Sequence, residues 1–157
     1  MTPDIVASDV RSRMMAGISG KNTKPEMTIR SALHRLGFRF RIHRRDLPGK
    51  PDIVLPKHNA VILVHGCFWH GHNCHLFKWP KTRREFWRHK ISSNIARDRM
   101  QMMELKELGW RVATIWECAL KGRLRLPIGE IAERCATWLE SQDAELRLSG
   151  DETRTIA

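Results

Sequence analysis

Residues 60–75 read AVILVHGCFWHGHNCH, and the change of character part-way along decides how the rest of the chain is arranged. Residues 60–64 are apolar without alternation, the pattern of a central strand covered on both faces by helices. From His65 to His75, eleven residues hold four histidines, two cysteines and the adjacent rings of Phe68 and Trp69. So many imidazole and thiol groups directly behind a buried strand point to a loop that ligates metal.

Working outward, the flanking segments read as alternating helices and strands. Upstream, Thr23-Lys24-Pro25-Glu26 fits a capping box with proline in the first turn, and Ile29, Leu33 and Leu36 form a core-facing stripe ended by Gly37. A short helix is expected over residues 8–18, with Arg11 and Arg13 exposed beside Met14 and Met15. Residues 38–43 alternate as a strand, and Leu47-Pro48-Gly49-Lys50-Pro51 is a turn into another strand at residues 52–55. Downstream, Thr82-Arg83-Arg84-Glu85 looks like a second capping box, opening a helix to about residue 108 with a bend near Ser92-Ser93. Residues 110–116 read as a strand and 128–139 as a closing helix. The expectation is one α/β domain over residues 1–157, a central mixed sheet flanked by helices, with residues 1–20 an N-terminal arm and 142–157 a polar, loosely held tail.

Composition narrows the partner. Lys and Arg outnumber Asp and Glu by 28 to 17 and the pI is about 10.3, so a polyanion is indicated, nucleic acid first; charge alone also fits an ordinary basic surface. No apolar run approaches the roughly 20 residues that span a bilayer, and the N-terminus has no signal-peptide centre, so a cytoplasmic protein with no membrane partner is expected. In that reducing compartment the four cysteines suggest metal before disulfides.

Cys67, His72 and Cys74 could surround one ion from a single tight loop, and tetrahedral structural zinc needs a fourth ligand from elsewhere. Cys118, immediately beyond the strand at residues 110–116, is the candidate; buried thiols with unrelated histidines are the alternative. Cys135, between Ile131 and Leu139, reads as a packed thiol. A second constellation needs no zinc. Asp52 opens one strand and His65 ends the next, so adjacent strand ends would bring them together. A carboxylate there can hold magnesium, which polarises a phosphate, while imidazoles transfer protons. An ordinary strand-entry aspartate fits Asp52 as well, and a capping role fits Glu26.

Together Pro51-Asp52, the HGCFWHGHNC block, TRREFW and the later WECAL resemble the very short patch repair (Vsr) endonucleases, over nearly the whole chain. The resemblance implies a restriction-endonuclease-like core that nicks DNA on the 5′ side of the thymine in a T·G mismatch, beginning repair of deaminated 5-methylcytosine. By position it implies that Asp52 is the central magnesium ligand, with Glu26 acting through water. It makes His70 the candidate base and places His65 at the phosphate, to stabilise or protonate it. Cys67, His72, Cys74 and Cys118 would hold structural zinc. Phe68, Trp69 and Trp87 would enter the base stack from the major groove and Met15 would approach from the minor groove, while Lys90 and Asn94 would address the mismatched pair. Double-stranded DNA is thus the expected partner of a monomer associated with the nucleoid, with mismatch-repair proteins and a repair polymerase as candidate protein partners. Val64 stands where the family commonly has threonine, which matters little if that position offers the metal a backbone carbonyl.

One feature outside those motifs agrees. Along the long helix Trp87, Lys90, Asn94 and Arg97 share one face while Ile91, Ile95, Met102 and Leu105 occupy another. The polar stripe could grip DNA; an ordinary solvated face is the alternative. Two further functional readings remain: a zinc-stabilised module that binds distorted duplex without hydrolysis, and a zinc hydrolase of small substrates. Positive charge, a closed zinc shell and the lack of an H-E-x-x-H helix count against the hydrolase.

Overall fold

A computed structural model describes residues 23–150. Its elements are α1 (Lys24–Arg35), β1 (Arg41–Ile42), β2 (Ile53–Leu55), β3 (Ala60–His65), α2 (Arg84–Glu107), β4 (Arg111–Trp116), α3 (Ile128–Leu139) and β5 (Glu145–Leu148). The strands form one sheet in the order β1-β2-β3-β4-β5. The first three strands are antiparallel, whereas β3 to β4 and β4 to β5 pair in parallel.

Strand periodicity divides the core into two layers. On one face, Ile53, Leu55, Ile62 and Ile115 pack with Ile29 and Leu33 of α1 and with Ile131, Cys135 and Trp138 of α3. On the other, Val54, Val61, Leu63 and Val112 pack with Leu105 of α2. Ala60, Val61 and Ile62 are therefore fully buried from both sides, which is why β3 shows no polar alternation.

Helix α1 begins as its sequence suggests: Thr23 Oγ1 accepts from the Glu26 N–H at 3.4 Å, and proline occupies the first turn. The Glu26 side chain, however, is buried, and its Oε2 lies 3.2 Å from His43 Nε2 and 3.5 Å from Arg30.

Four local expectations change. The strand expected at residues 38–43 is reduced to Arg41–Ile42, because His43 turns into the left-handed region at φ 53° and leaves the ladder. Thr82 does not cap the long helix; Arg83 is its N-cap, at φ 53°, with the guanidinium 4.3 Å from the Phe86 ring. Helix α2 continues as one segment through Ser92-Ser93. The tail expected from residue 142 is corrected by β5, which pairs with β4 and buries Leu148. Four residues are too few for a visible period, and β5 is held by its neighbours. Arg111 donates to the carbonyls of Trp138, Leu139 and Asp143, fixing the chain leading into β5, and Glu145 pairs with Lys106 at 2.9 Å. The expected helix at residues 8–18, Met15 and the last residues of the tail lie outside the described residues. Among the described residues no helix is long and apolar enough to cross a membrane.

Candidate active site and metal centre

Parallel pairing of β3 with β4 sets His65 opposite Trp116, so Cys67 and Cys118, each two residues further on, emerge at the same end of the sheet. The loop after β3 then returns His72 and Cys74 to that point. One ligand atom from each of the four residues lies within 4.8 Å of every other, an arrangement that could hold a metal ion. Backbone groups fasten it: Cys118 N–H donates to Cys67 Sγ at 3.3 Å and Gly150 N–H to Cys118 Sγ at 3.2 Å. The His72 ring lies flat on Trp116, with centroids 4.1 Å apart. The hydrogen bond from Cys67 lowers the Cys118 thiol to about 5 despite burial, while the same contact, reinforced by burial, raises Cys67. A cation at this point would favour thiolate at both sulfurs. Cys135 is a core thiol in α3, pushed up to about 12 by burial.

Gly71 seats this loop against α2. At φ 61°, a Cβ on Gly71 would stand 2.6 Å from Ile95 Cδ1 and 2.8 Å from Ile91 Cγ2 of α2. Gly71→Ala must combine a left-handed backbone with overpacking, so thermal unfolding should show a loss of roughly 2–4 kcal/mol. An unchanged unfolding midpoint would mean that the loop does not rest on the helix.

The second constellation forms at the same end of the sheet. Asp52, Val64, His65, His70, Phe68 and Trp69 all line one cleft of about 670 Å³. Asp52 Oδ2 accepts from the Val64 backbone N–H at 2.7 Å. Burial, reinforced by the hydrogen bond and charge of Glu26, raises the Asp52 carboxyl to about 8. Two carboxylates close together in a partly desolvated cleft favour either a retained proton or a cation. The Val64 side chain packs against the α1/α3 core cluster, so at this position the backbone serves the site.

The histidines form a stacked dyad, with His65 and His70 rings 3.8 Å apart and within 6° of parallel. Burial, and then the neighbouring His70, lower His65 to about 3, so it is neutral at physiological pH. His70 Nδ1 lies 2.6 Å from Asp98 Oδ2 on α2. A carboxylate there orients the ring and holds a proton on Nδ1, leaving Nε2 as an acceptor.

The rings assemble as well. Phe68 meets Trp69 and Trp87 edge-on, at 5.3 Å in each case, and Trp69 lies 5.9 Å from Trp87. All three remain partly exposed beside the cleft. Asn94 Nδ2 donates to the Trp69 carbonyl at 2.9 Å, so this side chain fastens the backbone that carries the ring. Lys90 is exposed one turn away.

Asp98 and His43 were not singled out from the sequence. Asp98 had a usable signal: it falls on the α2 face that carries Ile91, Asn94 and Ile95, the face turned to the loop. His43 had none, because its partner Glu26 is on α1, 17 positions away.

A carboxylate pair and a carboxylate-oriented histidine dyad, gathered at one end of this mixed sheet, are groups suited to phosphodiester hydrolysis, and the mixed sheet flanked by helices is that of the restriction-endonuclease-like class to which the family matched below belongs. The model of the family described as DNA mismatch endonuclease Vsr matches residues 3–76. A type II nicking enzyme, V.XorIIP, from Xanthomonas oryzae is 48% identical over 128 residues, 78% of this chain and 94% of that protein. The DNA mismatch endonuclease Vsr of Escherichia coli is 43% identical over 145 residues, 92% of this chain and 93% of that protein. The chain belongs to the Vsr family of DNA mismatch endonucleases and is a strand-nicking endonuclease.

Proposed function

We propose that the whole chain is one endonuclease domain that nicks a single DNA strand 5′ to the thymine of a T·G mismatch, with magnesium as the catalytic metal and zinc as the structural one. The convergence of Asp52, the His65–His70 dyad and the aromatic cluster on one cleft carries this reading. Donor chemistry separates the metals. Three thiols and an imidazole, all facing one point, suit zinc and leave it no open position. The Asp52 carboxylate, beside Glu26 and the backbone of Val64, is an oxygen-rich setting suited to magnesium. Magnesium, when bound by Asp52, neutralises phosphate charge and polarises the scissile bond.

The protein's own groups supply the remaining roles. His70, held by Asp98, takes the proton from the attacking water at Nε2. Neutral His65 donates its N–H to a phosphate oxygen, which stabilises developing charge without requiring an imidazolium. Glu26, kept in place by His43 and Arg30, orients water beside Asp52. Lys90 would address the mismatched pair; Asn94 would act on that pair through the ring it holds. Met15 and the N-terminal arm would approach from the minor groove, and the nick would pass to repair proteins.

Phe68, Trp69 and Trp87 would supply mismatch preference, because unstacking costs a few kcal/mol per step and costs least where pairing is already weak. Each 1.4 kcal/mol of that difference is about tenfold in rate. Phe68→Ala combined with Trp69→Ala should therefore lower the ratio of T·G to T·A nicking by about tenfold or more in folded protein. An unchanged ratio would assign discrimination to Lys90 instead. The general test resolves matched and T·G duplexes under denaturing conditions after incubation with or without magnesium. Mismatch-dependent scission at one bond supports the proposal. Binding without scission would make the protein a recognition module.

A further inference from the structure

The closed Cys-His cluster leaves a second set of metal-ligating groups unused. His65, His70 and Asp98 each offer one ligand atom, and these three atoms lie within 4.8 Å of one another. Ligands of one tetrahedral zinc-like ion sit roughly 3.4 Å apart, given metal–ligand bonds near 2.1 Å, so a small inward adjustment suffices. His70 Nδ1 and Asp98 Oδ2, 2.6 Å apart across a shared proton, would part by less than about 1 Å to admit a dication in place of that proton. His65 adds an independent pointer. Its Nδ1 is buried and makes no hydrogen bond, an unsatisfied polar atom that ligation or a reoriented ring would satisfy. All three residues line the cleft, so an ion held there would keep a free position towards solvent or a phosphate oxygen.

We infer that His65, His70 and Asp98 form a second transition-metal site, open and separate from the Cys67–His72–Cys74–Cys118 centre, whose occupation by zinc-like ions blocks nicking. Two imidazoles and one carboxylate select borderline ions such as Zn²⁺, Co²⁺ or Ni²⁺ over Mg²⁺, which prefers an all-oxygen shell. The cleft therefore sorts cations by donor type, magnesium to Asp52 and transition ions to the dyad. An ion bound at Nδ1 leaves the neutral His70 ring protonated at Nε2, so the lone pair it would use on water is gone. The binding claim stands on geometry alone, whereas the inhibition rests on the role proposed above for His70.

The test uses full-length protein carrying its structural metal. Co²⁺ is titrated in while visible absorption is followed, and bound metal is counted by elemental analysis after desalting. Wild type should take one additional equivalent, with bands of a nitrogen- and oxygen-ligated ion rather than intense thiolate charge transfer. Asp98→Asn preserves size, His70→Asn removes the imidazole without adding bulk, and neither residue belongs to the core clusters; each should weaken that equivalent by more than the roughly 10- to 100-fold lost with an outer-shell partner. No second equivalent in wild type, or one that persists in both variants, overturns the site. In the activity arm, excess Zn²⁺ at fixed magnesium should inhibit wild-type nicking, reversibly on adding a weak chelator. Zinc bound at the dyad with nicking undiminished would keep the site but remove His70 from the chemistry.

Discussion

Asp52→Asn should abolish nicking while leaving DNA affinity nearly intact. If Asp52 is the central metal ligand as proposed, its loss removes several kcal/mol of charge stabilisation in the transition state, a thousandfold or more in rate at roughly 4 kcal/mol. Affinity survives because phosphate contacts from a chain with 28 Lys and Arg residues do not pass through this carboxylate. Gel-shift binding and single-turnover nicking measured on the same variant separate the two. Near-normal nicking would place the active site elsewhere. The raised carboxyl makes a companion prediction of opposite sign. With a folded value of about 8 against 3.8, Asp52 has no effect on metal-free stability below pH 3.8 and destabilises the fold progressively as pH rises through about 8. Asn keeps an acceptor for the Val64 N–H without the charge, so metal-free Asp52→Asn should unfold at higher temperature than wild type at pH 9 and at the same temperature near pH 3.5. At limiting magnesium, wild-type nicking should rise with pH with a midpoint near 8, and more magnesium should move that midpoint down, since metal displaces the proton.

Cys118→Ser should cost the fold itself. Structural zinc contributes about 10–16 kcal/mol in small sites, comparable with the whole stability of a domain at about 5–15 kcal/mol. The cluster also joins pieces distant in sequence, the β3 loop, the turn after β4 and, through Gly150, the end of β5. The expected result is zinc-poor protein that unfolds well below wild type or fails to accumulate folded. Cys135→Ala, which trims a packed thiol from the α1/α3 layer, should retain zinc and lose roughly 1–2 kcal/mol. Thermal scans paired with zinc content decide it, and a Cys118→Ser variant with normal stability and full zinc would remove Cys118 from the ligand set.

How much was legible depended on whether the physics was local. The apolar run at residues 60–64, the loop cluster of Cys67, His72 and Cys74, the cap at Thr23 and the helix at Ile128–Leu139 were readable because each is set by spacing within a few residues. The Thr82 cap failed on the same local scale, because Arg83 could take a left-handed turn and lie against Phe86.

By itself, then, the sequence determined the residue types of both centres, the covered central strand and the family, all through short motifs whose chemistry survives any arrangement of their surroundings. Only the tertiary structure decided that Glu26 turns inward to His43, that Asp98 orients His70, that Asn94 supports Trp69, that Gly71 rests on α2 and that residues 145–148 complete the sheet. Each of these joins elements whose separation along the chain carries no periodic signal. The parallel register of β3 with β4 and the packing of α2 over the loop bring Asp98, Asn94 and Gly71 to their partners, and burial then raises the Asp52 carboxyl to about 8 and lowers His65 to about 3.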